Sequence, residues 1–298
     1  MPLVTVDEIE TLERRVAKGV RTGDAAGLDI IGYGEITIAV KLSTPNGEFV
    51  GKRLAPLSSR EAAERFAEVI ALYVSELETR GVDVVETETP ILEGPEGHVL
   101  YCVQPMLSPG SLGPDFLRGK TAEEAAPHVR RIFELIRASV SPRLAPDGQL
   151  SNWAFEGDRL RYLDVGTPFL RDEEGNDLFD FTEVTRGLPS PVRLIVNRFL
   201  LQGILDNYHS LRGQAMDFLG NLIKEGLGDL FPPLIPVAND VFELTPGITE
   251  KEVRAHYKSD AQTYAFIQVA RRTDRWFHRN IWRKPYPYLL PPPIDRYG

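Results

Sequence analysis

The stretch Asp147-Gly-Gln-Leu-Ser-Asn152-Trp-Ala-Phe-Glu-Gly-Asp-Arg-Leu-Arg-Tyr-Leu-Asp164-Val-Gly166 joins a polar loop to two short strand-like runs. The runs are Trp153–Phe155 and Leu160–Leu163, separated by Glu156-Gly-Asp-Arg159, a turn composition that closes a hairpin. Such a hairpin places Asp147, Asn152 and Asp164 at one of its ends, facing a common space. Three oxygen-donating side chains converging there suit magnesium, a hard cation.

Working outward, the apolar positions Val129, Ile132, Phe133, Ile136 and Val140 predict an amphipathic helix just before this loop. Further toward the N-terminus the pattern changes. Ile9, Leu12, Val16 and Val20 predict a helix over 7–22 that ends near Gly23. Three strand-like runs follow, Leu28–Tyr33, Ile36–Leu42 and Phe49–Leu54, the last two joined across Asn46-Gly47, a strong hairpin signal. Ser58 or Ser59 can cap a long helix that runs to Arg80 and stops at Gly81. Val82–Val85 and Val99–Val103 read as two more strands. The Pro/Gly-rich stretch Pro105–Gly113 marks a boundary, giving an N-terminal unit of 1–104 and a C-terminal unit of 105–298. Residues 190–225 and 249–283 read as helical. The proline-rich tail is expected to be extended along the surface.

Phosphoryl transfer needs a glycine loop over the phosphates, a lysine to hold them, a carboxylate to fix that lysine, and oxygen ligands for the metal. Candidates for each occur in order along the chain. Gly32-Tyr-Gly34 lies between the first two strands, where missing side chains let backbone N–H groups approach phosphate. Lys52 sits in the third strand, opposite in facing to Arg53. Glu64, Glu68 and Glu76 are available on the following helix as partners of Lys52, Glu64 lying one turn before Glu68 on the same face.

The ordered set over residues 28–170 resembles the aminoglycoside phosphotransferase and choline kinase group, relatives of the protein kinases. The resemblance implies an α+β, two-lobed protein-kinase-like fold, with an N-terminal antiparallel sheet plus one helix and a mainly helical C-terminal lobe. It further implies Asp147 as catalytic base, Lys52 and Glu68 as the phosphate-holding ion pair, and Asn152 and Asp164 as magnesium ligands. Gln104–Met106 would be the hinge whose backbone meets adenine. ATP and Mg2+ are the implied cofactors, and a hydroxyl of a small molecule or short peptide is the acceptor. The group usually carries a histidine two residues before the catalytic aspartate; here Ala145-Pro146 precedes Asp147. That departure favours an alternative, a catalytically silent pseudokinase acting as a nucleotide- or partner-binding scaffold.

Composition narrows the remaining classes. The net charge of −9 argues against general attraction to nucleic acid or anionic lipid. The single cysteine, Cys102, reads as a small buried hydrophobe and suits a reducing compartment. No basic-then-apolar leader and no long uncharged apolar window occur, so a cytoplasmic protein is expected. The basic, aromatic stretch Arg271–Lys284 reads as a terminal helix whose Trp and Ile residues pack against the C-terminal lobe. The acidic run Asp172–Glu183 would favour a cationic acceptor.

Overall fold

The computed structural model describes residues 2–34, 37–94, 97–182, 190–197, 201–284, 286 and 288–291. Helix α1 (Val6–Thr22) starts at a capping box, in which Thr5 and Glu8 each bond the other's backbone N–H, and ends at Gly23 in the left-handed conformation. Strands β1 (Ile30–Tyr33), β2 (Ile38–Thr44) and β3 (Gly47–Arg53) form an antiparallel meander. The β2–β3 register pairs Thr44 with Gly47, so the loop residues are Pro45 and Asn46 rather than Asn46 and Gly47. Pro45 supplies the fixed φ that a turn needs at its first central position.

Helix α2 (Arg60–Thr79) is capped by Ser59, whose hydroxyl accepts from Ala62 N, and Gly81 follows it at φ 85°. Its buried stripe is Ala63, Phe66, Ile70, Tyr73 and Leu77, a spacing of three and four residues that keeps one face inward. The sheet is completed by a hairpin of β5 (Ile91–Gly94) and β6 (Gly97–Pro105), giving the order β1-β2-β3-β6-β5. Two expectations are corrected here. The run at Val82–Val85 does form a strand, β4 (Asp83–Val84), but it leaves this sheet and pairs in parallel with a strand some 80 residues further on. The fifth member of the sheet is instead Ile91–Gly94, which the sequence reading passed over.

The C-terminal part is mostly helical: α3 (Gly113–Leu117), α4 (Ala122–Ser139), α5 (Ser190–Ile195), α6 (Leu201–Tyr208), α7 (Leu211–Lys224), α8 (Phe231–Val241) and α9 (Glu250–Asn280). Among them sit β7 (Leu144–Ala145), β8 (Trp153–Glu156), β9 (Arg159–Tyr162) and β10 (Phe169–Leu170). The hairpin β8–β9 turns at Gly157, φ 60°, as its composition predicts, and β4 joins its outer side. The protein is therefore α+β, with an antiparallel sheet in its N-terminal part and a mainly helical C-terminal part. No helix among the described residues is long and apolar enough to cross a membrane.

Two cores divide along the faces of the large sheet. One lies under α1 and contains Ile9, Leu12, Val16, Val40, Phe49, Val99 and Val103. The other is continuous from α2 and Leu54 through β8 and β9 to α4, α7 and α8. Within the α1 layer the Glu13 carboxylate accepts two bonds from Arg53, at 2.8 and 2.9 Å, and a third from the Tyr101 hydroxyl at 2.6 Å. Both charges are buried, so their desolvation is offset only while each keeps its partner. Glu13→Gln should leave Arg53 uncompensated and lower unfolding free energy by about 3 kcal/mol. Chemical denaturation checks this, and an unchanged midpoint would show that water reaches the pair.

Candidate active site

Lys52 projects from β3 beside Cys102 of β6, on the face opposite Arg53. Cys102 is buried as expected, and burial pushes its thiol up to about 12, which keeps it inert. The Lys52 ammonium bonds Asp164 Oδ1 at 2.7 Å, across 112 residues of sequence. Burial opposes that ammonium, yet Asp164, with Cys102 and Asp147 adding to it, holds its pKa above the ordinary lysine value. Asp164 Oδ1 also accepts from Gly166 N at 3.1 Å. A Cβ at 166 would press on Leu54 Cδ2 at 3.2 Å and touch the end of Lys52 at 3.5 Å, so Gly166 packs closely against this pair.

The expected Lys52–Glu68 pair does not form. Glu68 and Glu64 lie on the exposed side of α2, where Glu64 pairs with Arg60 at 2.8 Å. The inward side carries Phe66, Ile70 and Tyr73 instead. The carboxylate that Lys52 meets is that of Asp164.

Asp147 leads a loop whose backbone is pinned from four directions. The carbonyl of Ala145 accepts from Tyr73 Oη of α2 at 3.0 Å, and that of Pro146 from Gln214 Nε2 of α7 at 2.7 Å. The carbonyl of Asp147 accepts from Asn152 Nδ2 at 3.2 Å, and that of Gly148 from Trp153 Nε1 at 3.4 Å. The Asp147 N–H donates to Tyr162 Oη of β9 at 2.9 Å. Four consecutive carbonyls thus each receive a side-chain donor, which fixes the loop before any ligand arrives. Tyr73 and Tyr162, with hydroxyls 3.4 Å apart, thus hold the backbone on either side of Pro146. Tyr73→Phe should cost about 1 kcal/mol in stability, by removing a buried bond. Equal stability of variant and wild type would mean the hydroxyl is dispensable.

Electrostatics set Asp147 apart. Burial, then the charges of Asp217 and Asp164, raise its carboxyl to about 7. Asp217, on α7, was not foreseen; nothing in its local sequence marks it. By donating its Nδ2 to the loop, Asn152 keeps Oδ1 as a free acceptor, and Asp164 Oδ2 makes no bond among the described residues. These oxygens fit a hard divalent cation. No three His, Cys, Asp or Glu side chains among the described residues stand together as a metal cage. An ion held by Asn152 and Asp164 would therefore complete its shell with phosphate oxygens and water, as magnesium commonly does.

The other sequence candidates divide. Gly32 lies in β1 opposite Ala39, and Gly34 N bonds Thr37 O at 2.9 Å, with no room for a side chain at 34 beside Thr37. The tip of that turn, residues 35–36, lies outside the described residues. At Met106, expected in the hinge, the backbone N–H donates to Glu48 O of β3 at 2.9 Å and is not free for a ligand. Gln104 pairs with Val50, and its side chain bonds Thr87 and Leu163 O. Pro105 has no N–H, which leaves Leu107 N as the nearest backbone donor without a bond among the described residues. In the acidic run, Asp177 is committed to Arg171 at 2.9 Å, Asp172 to Asn176, and Asp180 to Thr182, while Glu173 and Glu174 stay exposed. Glu183 lies outside the described residues.

Residues 11–275 match DUF6206, a family of unknown function, and the chain belongs to that family. No curated protein gives a significant match.

Proposed function

We propose that this protein is a phosphotransferase of the two-lobed kinase-like kind, which uses ATP and magnesium to phosphorylate a hydroxyl of a small molecule or short peptide. The observation that carries the reading is the 2.7 Å bond from Lys52 to Asp164, made between the sheet and the β8–β9 hairpin beside the pinned Asp147 loop. Lys52 would neutralise phosphate oxygens, and Asn152 and Asp164 would hold magnesium, which supplies charge neutralisation between the phosphates when bound. Asp147, raised to about 7, is suited to accept the acceptor's hydroxyl proton near neutral pH. Gly32 and Gly34 would cover the phosphates, and Leu107 rather than Met106 would meet the base. The mutual repulsion of Asp147, Asp164 and Asp217 supports a cationic acceptor.

The absence of a carboxylate from α2 at Lys52 favours a second reading, a nucleotide-binding scaffold without turnover. Titration calorimetry with nucleotide, with and without magnesium, tests binding; acceptor-dependent ATP consumption in fractionated metabolites separates enzyme from scaffold. Magnesium-dependent binding with turnover supports the first reading, and binding alone the second. Failure to bind nucleotide overturns both.

A further inference from the structure

Helix α9 is 31 residues long, and its inward face over the second half is formed by Gln268 and Arg271, which are 5 % and 1 % exposed. The large apolar residues point the other way. Phe266, Val269 and Trp276 recur at spacings of three and seven along the opposite face, and Phe277 lies beside them, eleven residues from Phe266. Ile281 and Trp282 extend that face past the end of the helix, each more than half exposed. The expectation that these Trp and Ile residues pack against the rest of the protein is thus reversed. A contiguous aromatic surface on the outside of a chain marks a place of contact.

Charge identifies what meets it. Arg279, Arg283 and Lys284 surround the aromatic end, are exposed, and make no ion pair among the described residues. Arg272 and Arg279 together depress the pKa of Arg275, whose largest influence is burial, so positive charge there is in excess. A second element adds to it. The Arg279 guanidinium fills the space where a side chain at Gly23 would lie, which places the end of α1 beside the end of α9. From residue 14 to 21, α1 carries Arg14, Arg15, Lys18 and Arg21 and no acid. Arg14 is paired with Glu10 and Arg15 bonds Gly27 O, while Lys18 and Arg21 are exposed and unpaired among the described residues. Asp24 is the nearest acid in sequence to the end of α1, and its carboxylate caps Ala26 N.

We infer that the joined ends of α1 and α9 form a peripheral membrane-binding surface, with Trp276, Phe277, Ile281 and Trp282 entering the interface and Lys18, Arg21, Arg279, Arg283 and Lys284 meeting anionic lipid headgroups. Indole rings settle at headgroup depth, and basic residues beside them are drawn to a negative leaflet. Val269 and Ile281 favour lipid over a single-stranded nucleic acid, since aliphatic side chains do not stack on bases. A second copy of this face would bring arginine against arginine. The net charge of −9 argued against lipid only as a whole-chain average; this surface has the opposite sign. The inference is independent of phosphotransfer.

Co-sedimentation of the full chain with vesicles tests it, using equal parts phosphatidylserine and phosphatidylcholine against phosphatidylcholine alone. Binding is expected to the anionic vesicles and to weaken with salt. Trp153 is buried, so a blue shift of tryptophan emission on binding reports Trp276 and Trp282. Arg283→Glu with Lys284→Glu should weaken binding at least about tenfold, since each basic residue near an anionic surface contributes on the order of fivefold. Ile281→Ser with Trp282→Ser should remove most of the shift, and circular dichroism verifies that these exposed changes leave the fold intact. Absence of binding, binding equal for both vesicle types, or variants that bind as the wild type overturns the proposal. So does capture by single-stranded DNA or self-association through this face without vesicle binding.

Discussion

Asp147→Asn should abolish phosphotransfer and, at the same time, stabilise the metal-free protein above neutral pH. Asparagine cannot accept the acceptor's proton, and loss of a general base lowers turnover by roughly 100- to 10,000-fold. The stability effect follows from linkage. The folded-state carboxyl titrates at about 7 against an ordinary 3.8, so between those values the folded state holds a proton that the unfolded chain releases. Stability associated with that proton is fully present below the unfolded value and is lost as pH rises through about 7. At pH 8 the wild type therefore carries an ionised, partly desolvated aspartate facing Asp164 and Asp217. The asparagine variant does not, and should gain on the order of 1–3 kcal/mol there, with little difference near pH 4. Thermal unfolding of both proteins across this range, in chelator, is the measurement. A variant that is less stable than wild type at every pH would show that Asp147 is held by favourable contacts rather than by enforced desolvation. Under the proposed activity Asp147 must be ionised to act as the base, so kcat/KM should rise with pH to a plateau above about 7.

The gain at residue 147 depends on burial and on Asp164 and Asp217, both distant in sequence, and this explains where sequence reading succeeded and where it stopped. Local signals were sufficient for local structure. Ser59 capped α2, Gly23 and Gly81 sat beyond helix ends, and Glu156–Arg159 closed the β8–β9 hairpin as composition required. The order Lys52, Asp147, Asn152, Asp164 was also legible, because loop chemistry and strand alternation place those residues at element ends. Facing was misjudged where spacing alone was used. Glu68 lies two residues from both Phe66 and Ile70, about 200° round the helix from each, so the apolar stripe already turned it outward. Pairing between distant segments was beyond reach. Nothing near Val84 announces Tyr162 as its neighbour, and nothing near Ala145 announces Tyr73 and Gln214 as donors to its loop or the Tyr162 hydroxyl as an acceptor from it. Such donors come from packing, which the intervening chain decides.

Lys52→Met should lower kcat by roughly 100- to 1,000-fold, the loss typical of one preorganised donor facing developing negative charge. Asp164→Asn should instead weaken magnesium-dependent nucleotide binding by at least about tenfold, since an amide offers a hard cation a poorer ligand than a carboxylate. Each change also breaks a bond between the sheet and the β8–β9 hairpin. The two side chains are 26 % and 19 % exposed, so part of the charge is hydrated and the stability loss should be near 1 kcal/mol rather than the full cost of a buried orphan. A purely structural clamp would show only that stability loss. The charge-swapped double variant, Lys52→Asp with Asp164→Lys, separates the two roles. An ion pair that merely joins two elements tolerates exchange, because attraction is symmetric in its partners. A phosphate-binding cation and a metal-binding carboxylate do not, since each must meet a different ligand from its own position. The swap should therefore recover much of the stability lost by either single change while leaving nucleotide binding and turnover at background. Recovery of both would reduce the pair to a fastening, and the proposed activity would lose its principal support.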